Sequence, residues 1–322
     1  MRAVAAACTG LLIVLLITPA RTIAQAYPSK PVRFLVGFVA GGTNDIVARA
    51  LAQKLTESMG QSVVVENRGG AYTAIATEAG ARAAPDGYTI LLNAPGHATN
   101  PALMKLAFDP VNDFAFISLV AEAPNIVVVH PSFPPRNVQE LIVQAKKRPG
   151  QINFASSGTG TTVHLSAELF QFMTGVRWVH IPYKGGGPAV VELMAGQTQI
   201  MFANMPTAIH YVRDGRLRAR AVTGARRAPA APESPTVAES GVPGYEVTAW
   251  YGVSAPAKTP RAIIDRLYDE IVRAVNSPDL RERLTSQGAD PVHKTPSEYT
   301  AFIQSEITKW AKVIKAAGNK GE

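Results

Sequence analysis

Cysteine is almost absent from this sequence. Cys8 is the only one among 322 residues, and it lies in an N-terminal segment that we expect to be removed. A mature chain without cysteine has neither disulfides nor thiol chemistry. The six histidines show no metal-type spacing. We therefore expect no metal site and no other cofactor.

Long apolar runs are missing after the N-terminus. Met1-Arg2 supplies positive charge, residues 3–17 are apolar, and Ala24-Gln25-Ala26 is a small-x-small cleavage site. This pattern predicts a secretory signal peptide over residues 1–26, cleaved near Ala26. An uncleaved membrane anchor is the alternative, which the shortness of the apolar run disfavours. We expect an exported protein.

Acidic residues are fewer than basic ones. The chain has 24 Asp and Glu against 32 Lys and Arg, a formal charge of +8, which mildly favours anionic partners. The densest basic cluster is Arg213, Arg216, Arg218, Arg220, Arg226 and Arg227. No helix-turn-helix or stacking-aromatic pattern accompanies this cluster. We interpret it as a solvated surface and expect no nucleic-acid partner.

Short apolar runs and amphipathic segments alternate along the whole chain. Residues 33–39 are typical of a buried strand, and Gly41-Gly42 separates them from a helical pattern that reaches Leu55. Later segments include two extended stretches on either side of Pro124 and a loop at 93–101. The alternation predicts an α/β protein with mostly parallel sheets. Two strand-rich blocks predict two lobes with a cleft between them.

The turn after the first strand is a candidate anion site. Thr43 or Asn44 stands where a helix N-cap belongs. A helix start offers unpaired amides and a partial positive charge, which favour an anion. The glycines at 185–187 could act similarly before Pro188. They lack the spacing of a nucleotide-binding loop, so we do not expect a nucleotide.

Residues 156–162 form a second candidate, a hydroxyl-rich loop with the sequence SSGTGTT. Anion binding is the favoured interpretation, and a merely structural turn stays open. A nucleophile loop is disfavoured because Gly-x-Ser-x-Gly is absent. His97, in the predicted 93–101 loop, is a candidate neighbour of the ligand.

A set of short segments resembles one family in both composition and order. They are Tyr27-Pro28-Ser29-Lys30-Pro31, Gly41-Gly42 with Asp45, Glu66-Asn67-Arg68, Pro85-Asp86-Gly87-Tyr88, Asn100-Pro101, Ser156-Ser157-Gly158, His164-Leu165, Pro182-Tyr183-Lys184-Gly185-Gly186, Pro243-Gly244-Tyr245 and Ala255-Pro256. Over essentially all of its mature length, the chain resembles the Bug family, the extracytoplasmic solute receptors of tripartite tricarboxylate transporters.

The resemblance implies a two-lobed periplasmic binding protein of the type II-like fold, located in the periplasm. Each lobe is a mostly parallel sheet flanked by helices. Lobe 1 would comprise residues 27–124 and 252–322, and lobe 2 residues 125–251. The cleft between them would close by hinge motion over a dicarboxylic, amino or aromatic acid.

The resemblance also implies which residues line the cleft. These are Phe38, Gly41, Gly42, Thr43, Asn44 and Asp45 in lobe 1, and Ser156, Ser157, Thr159, Thr162, Tyr183, Lys184, Gly185 and Asn204 in lobe 2. Asp45 is expected to orient its turn rather than to contact the ligand. Tyr72 and His97 are further candidates at the cleft.

The chain departs from the family pattern at several positions. Tyr72 interrupts a run that is typically glycine-rich, so it could narrow the pocket or stack on an aromatic acid. Gln199 and Ala203 replace the usual aspartates, which weakens the case for a ligand ammonium group. These changes leave the identity of the ligand open.

The function that follows is that of a receptor, not an enzyme. It would capture a small carboxylate and deliver it to the membrane subunits of a tripartite tricarboxylate transporter, acting as a monomer. Two alternatives remain. One is an adaptor whose closed form is read by a membrane sensor kinase, and the other is an exported hydrolase.

Overall fold

Strands and helices alternate as the sequence predicts. The computed structural model describes residues 27–316; the predicted signal peptide and its cleavage site lie outside this range. The strands are β1 Val32–Val36, β2 Val63–Asn67, β3 Thr89–Asn93, β4 Phe114–Val129, β5 Asn153–Ser156, β6 Val179–Pro182, β7 Ile200–Asn204, β8 Arg218–Val222, β9 Thr248–Pro256 and β10 Asp290–Pro291. The helices are α1 Thr43–Met59, α2 Ala74–Ala81, α3 Gly96–Leu103, α4 Val138–Lys147, α5 Thr162–Thr174, α6 Gly186–Met194, α7 Met205–Arg213, α8 Arg261–Asn276, α9 Pro278–Ser286 and α10 Pro296–Ala316.

The first sheet has a parallel half and an antiparallel half. β2, β1 and β3 are parallel neighbours in that order. β9 and the first part of β4 continue the sheet in antiparallel orientation. β1 is apolar because both of its faces are covered. Phe34 packs in the same core as Leu51 of α1, whereas Leu35 belongs to the core on the opposite face.

The second sheet repeats this arrangement. β6, β5 and β7 are parallel neighbours, and the end of β4 pairs with β7 and β8 in antiparallel orientation. In both sheets, parallel strands run directly into helices: β1 into α1, β3 into α3, β5 into α5, β6 into α6 and β7 into α7. The carboxyl ends of parallel strands therefore carry helix starts, where ligands of α/β proteins bind.

One long strand belongs to both sheets. Residues 114–124 of β4 pair with β9, and residues 125–129 pair with β7 and β8. The change of partners follows Pro124, which opposes Thr248 in the last pair of the first sheet. At this point Thr223 joins β4 to the segment that leads into β9. Its Oγ1 accepts from the Asn125 amide at 2.7 Å and donates to the Val247 carbonyl at 2.7 Å. The α/β, two-lobed prediction is confirmed.

The predicted loop at 93–101 is wrong. Helix α3 begins at Gly96 and contains Pro101. Gly96 and Pro101 have low helix propensity, which is why the sequence predicts a loop. The helix forms because the burial of Ala98 and Leu103 in the core outweighs that propensity. Within the described residues, no helix combines the length and apolar character needed to cross a membrane.

Candidate ligand-binding site

In residues 27–316, five helices begin around one small cavity between the lobes. Its wall contains the start of each helix: Gly42, Thr43 and Asn44 of α1, Pro95 and Gly96 of α3, Thr161 and Thr162 of α5, Gly185 and Gly186 of α6, and Asn204 before α7. The cavity volume is about 30 Å³. Because one water occupies roughly 10–15 Å³ on this measure, the cavity holds about two oxygen atoms. That is the size of a carboxylate head.

The described lining of the cavity combines polar and apolar groups and contains no charged side chain. None of the Asp, Glu, Lys or Arg residues in the described range lines it. The helix starts provide positive potential instead, since their first amides have no partner within the helix. The N-caps of α1 and α6 are Gly42 and Gly185, which have no side chain to occupy those amides. An anion is the ligand that this arrangement favours.

Asp45 shapes the α1 turn from outside the cavity. Its carboxylate accepts from the Gly41 amide at 3.0 Å and from Arg49 Nε at 2.9 Å. Burial raises the pKa of Asp45, but the hydrogen bonds from Arg49 and Gly41 outweigh it and lower the pKa below the usual range. The residue is therefore ionised and holds Gly41 in a left-handed conformation with φ 84°.

The hydroxyl-rich loop contributes Ser157, Thr161 and Thr162 to the cavity. Ser157 Oγ donates to Thr161 Oγ1 at 3.1 Å, and Thr161 Oγ1 donates to the Gly158 carbonyl at 2.7 Å. Thr161 is also the N-cap of α5, because its side chain accepts from the His164 amide. These hydroxyls are held in place by the loop itself, so they form a pre-arranged polar wall.

Two stacked histidines support the loop from behind. The rings of His164 and His180 lie 4.1 Å apart. His164 Nδ1 accepts from the Gly160 amide at 3.1 Å, and His180 Nε2 lies 2.6 Å from Ser156 Oγ. Burial and the neighbouring His180 lower the pKa of His164 to about 3, and burial lowers the pKa of His180 to about 4. Both rings are neutral at neutral pH, as the hydrogen bond to Gly160 requires.

Asn125 connects the crossing strand to the cavity. This fully buried residue accepts from Asn204 Nδ2 at 2.6 Å and donates to Ser166 Oγ at 2.8 Å and to the Thr162 carbonyl at 3.2 Å. Asn204 and Thr162 both line the cavity. Asn125 therefore fixes two walls of the site from the point where β4 changes partners.

A hydrogen bond joins α1 to α7 beside the cavity. Thr43 Oγ1 lies 2.8 Å from Thr207 Oγ1 of α7, and both residues are buried. Tyr251, on β9, also lines the cavity. Burial raises the pKa of Tyr251 well above its usual value, so its phenol stays protonated. The contact between Thr43 and Thr207 fixes α1 against α7.

A wider groove continues outward from the cavity. Its volume is about 600 Å³, and it shares Phe38, Val39 and Ser157 with the inner wall. The remaining lining is Gly37, Gly69, Gly70, Ala71, Tyr72, Thr73, Gly158, Thr159, Pro182, Tyr183 and Lys184. A ligand with its head in the cavity has room for a larger body in this groove.

The family model for the tripartite tricarboxylate transporter family receptor matches residues 47–319. The chain belongs to this family. The receptor is 40% identical over 300 residues to the protein BugT of Bordetella pertussis, with 92% of each chain covered.

Solved structures agree with this assignment. The receptor matches R. palustris Rpa4515 with adipate at TM-score 0.90 and 37% identity, over 92% of this chain and 100% of that one. It matches the periplasmic binding protein BugD at TM-score 0.88 and 37% identity, over 92% and 100%. A third match is MatC from Rhodopseudomonas palustris with bound malate, at TM-score 0.84 and 32% identity, over 89% and 100%. The protein is a solute receptor of a transporter.

The receptor brings together most of the residues that the sequence singled out. Phe38, Gly42, Thr43, Asn44, Ser157, Thr162, Gly185 and Asn204 line the cavity, and Tyr72, Thr159, Tyr183 and Lys184 line the groove. Four others lie outside both linings: Gly41, Asp45, Ser156 and His97. His97 is held by Asn93 and by the Pro110 carbonyl, and its ring packs on Phe114.

Sequence reasoning missed part of the wall. The missed residues are Val39, Ala94, Pro95, Gly96, Thr161, Gly186 and Tyr251. Pro95 and Gly96 follow the apolar run of β3, so their place at a strand end was an available signal. The loop assigned to 93–101 concealed the helix start that they form. Tyr251 reaches the site only through the pairing of β9 with β4.

Acidification is expected to destabilise the receptor between about pH 6.5 and pH 4. Burial lowers the pKa of His97 to about 4, although its hydrogen bond to Pro110 opposes the shift. Between the unfolded and folded pKa values, the unfolded chain binds a proton that the folded chain excludes, so the free energy of unfolding falls with pH. His97 alone accounts for about 2–3 kcal/mol. Urea unfolding at pH 7 and pH 4.5 measures this.

The matched variants are His97→Gln and His210→Gln. The first removes one of three histidines whose pKa is lowered by burial and should reduce the pH dependence of the free energy of unfolding by the share of His97, leaving that of His164 and His180. The second alters an exposed histidine on α7 and should leave the dependence unchanged. An equal pH dependence in wild type and His97→Gln would contradict the expectation.

Proposed function

We propose that this receptor captures a small organic carboxylate in the periplasm and delivers it to a tripartite tricarboxylate transporter in the membrane. The observation that carries the proposal is the convergence of five helix starts on a cavity of carboxylate size without charged side chains in its lining. The related structures with adipate and malate support it, as does the periplasmic relative BugD.

We propose the lobe division that the resemblance implies, with residues 27–124 and 252–322 in lobe 1 and residues 125–251 in lobe 2. The change of partners of β4 after Pro124 supports the outward crossing. β9 pairs with β4 in the first sheet from Thr248 onward, which favours a return crossing near Thr248. α1 and α3 then belong to lobe 1, and α5, α6 and α7 to lobe 2.

Binding would proceed by hinge closure. The carboxylate exchanges its hydration for helix-start amides and for hydroxyls such as that of Ser157, whose proton would turn from Thr161 Oγ1 to the anion. Because each lobe supplies only some of these donors, the anion is fully surrounded once the lobes meet. The hydrogen bond between Thr43 and Thr207 then joins the lobes directly. Opening reverses these steps and releases the acid to the transporter.

We propose that binding involves no chemical step. A serine and a histidine do lie together, since Ser156 Oγ is 2.6 Å from His180 Nε2. Ser156, however, is fully buried and lines neither the cavity nor the groove. Its Oγ accepts from the Gly158 amide. The pair supports the loop and offers no nucleophile to a substrate.

We propose the acid and the membrane subunits as the partners of a monomeric receptor, without nucleic acid. Three of the six arginines in the cluster make contacts within the protein. Arg213 donates to the Ala230 and Ser286 carbonyls, Arg220 donates to the Pro135 carbonyl, and Arg227 pairs with Glu239. These contacts engage part of the charge that a surface tracking a phosphate backbone would use.

Isothermal titration of the receptor with a panel of carboxylates tests the proposal. We expect Ser157→Ala to weaken binding of the best acid about 5- to 10-fold, because a buried hydrogen bond to a charged group is lost. Ser305→Ala, on the exposed side of α10, is the control and should bind like wild type. Folded wild-type protein that binds no acid in the panel would refute the carboxylate function.

A further inference from the structure

Three consecutive residues without glycine adopt left-handed backbone conformations. Ala71 has φ 42°, Tyr72 has φ 54° and Thr73 has φ 79°. L-residues adopt such values rarely and usually singly, because Cβ approaches the backbone. A run of three persists only where the surroundings fix it, and such strain concentrates at functional sites.

The surroundings of this turn do fix it. Asn100 Nδ2 donates to the Tyr72 carbonyl at 2.9 Å, and Thr77 Oγ1 donates to the Thr73 carbonyl at 2.9 Å. The turn also packs closely against two glycines, Gly37 and Gly96. A Cβ at Gly37 would lie 2.5 Å from Thr73 Cβ, and a Cβ at Gly96 would lie 2.5 Å from the Tyr72 oxygen. Both glycines are therefore required for the turn to sit at the end of β1 and the start of α3.

The consequence of the turn is the position of the Tyr72 ring. The ring lines the outer groove and reaches the hydroxyl-rich loop of the second sheet. A Cβ on Gly158 would lie 3.6 Å from Tyr72 Cε1, and a Cβ on Gly160 would lie 3.8 Å from Tyr72 Cδ1. One edge of the ring thus packs against the opposite side of the cleft while the ring remains half-buried beside the groove.

The groove around this ring is apolar and aromatic. Its large side chains are those of Tyr72, Tyr183, Phe38, Val39 and Pro182, together with Lys184. Within the described range, no Asp or Glu lines the groove or the cavity, so a ligand ammonium group would lack a counter-charge. Lys184 is the one basic side chain of the described lining, and it is exposed at the surface. An ion pair with an exposed lysine is weak, so a second carboxylate on the ligand would gain little there.

We propose that the outer groove is a subsite for a flat apolar body, and that Tyr72 selects acids that have one. With its carboxylate in the inner cavity, such an acid places an aromatic ring beside Tyr72, where offset or edge-to-face contact between rings is favourable. The ligand class is an arylalkanoate rather than an amino acid or an aliphatic dicarboxylate. This inference rests on the proposed carboxylate function.

Titration of wild type, Tyr72→Phe and Tyr72→Asn with three acids tests the inference. The acids are 3-phenylpropanoate, adipate and aspartate. Asn tolerates the left-handed conformation, so it removes the ring without adding backbone strain. We expect wild type to bind 3-phenylpropanoate tightest of the three. Tyr72→Asn should weaken that affinity about 10-fold, whereas Tyr72→Phe should keep it within about twofold.

Tyr72→Gly provides a second variant, since it removes the ring and relieves the turn, and it should match Tyr72→Asn in affinity. Thermal unfolding of each variant establishes that it is folded. A wild type that prefers adipate or aspartate overturns the inference. An equal loss of affinity for all three acids in Tyr72→Asn also overturns it. The ring would then help the cleft to close over any acid and would not select among acids. If wild type binds none of the acids, the carboxylate function itself fails.

Discussion

Gly185→Ala is expected to reduce carboxylate affinity about 100-fold or more. Gly185 is the N-cap of α6, with φ 123° and ψ 168°, a region essentially confined to glycine. A Cβ there would also lie 2.8 Å from Val39 Cγ2 across the cleft. The substitution therefore turns the first α6 amides away from the cavity and obstructs closure at once. Isothermal titration with the best acid of the panel measures the loss.

Gly175→Ala is the matched control. Gly175 has φ 70°, so alanine is strained there too, but a Cβ at this position meets no atom within 4 Å. This variant should lose some thermal stability and retain wild-type affinity. If Gly185→Ala bound within threefold of wild type, the α6 start would have no part in holding the anion.

Asn125→Leu is expected to lower the free energy of unfolding by about 3 kcal/mol. The amide of Asn125 serves Ser166, Thr162 and Asn204 in a fully buried position. Leucine fills a similar volume but leaves those groups without their partner. It also releases Asn204 from the cavity wall, so affinity should fall by about 10-fold or more. Urea unfolding and titration of the same variant measure the two effects.

Ser166→Ala separates the effect of Asn125→Leu on stability from its effect on affinity. It removes one partner of Asn125, at 2.8 Å, and leaves the contact with Asn204 in place. We expect a loss of about 1 kcal/mol in stability and little change in affinity. Wild-type affinity in folded Asn125→Leu would show that the buried amide stabilises lobe 2 without positioning the site.

Much of the fold and roughly half of the inner wall follow from local pattern. An apolar run, a glycine turn and an amphipathic segment specify β1, the Gly42 turn and α1 without reference to the rest of the chain. Local composition also singles out Ser157 and Thr162, which lie in the hydroxyl-rich loop, and Gly185, which lies in the glycine run before Pro188. The local sequence is sufficient to predict the site where a strand is followed directly by a helix.

The remainder depends on contacts between segments far apart in sequence. β4 continues through Pro124 because its partners change there, and no local signal encodes that exchange. α3 forms despite Pro101 because its apolar side is buried. Tyr72 departs from a glycine-rich pattern, but its left-handed turn is imposed by Gly37, Gly96 and Asn100. Tertiary packing decides each of these cases.

The two hydrogen bonds of the Thr223 hydroxyl have a mechanical consequence. In the proposed lobe division, two segments of the chain connect the lobes, and the Thr223 hydroxyl is hydrogen-bonded to both where they leave the first sheet. Two segments linked side by side bend together about the line across them and resist torsion. We therefore expect the lobes to open and close about a single axis without twisting against each other.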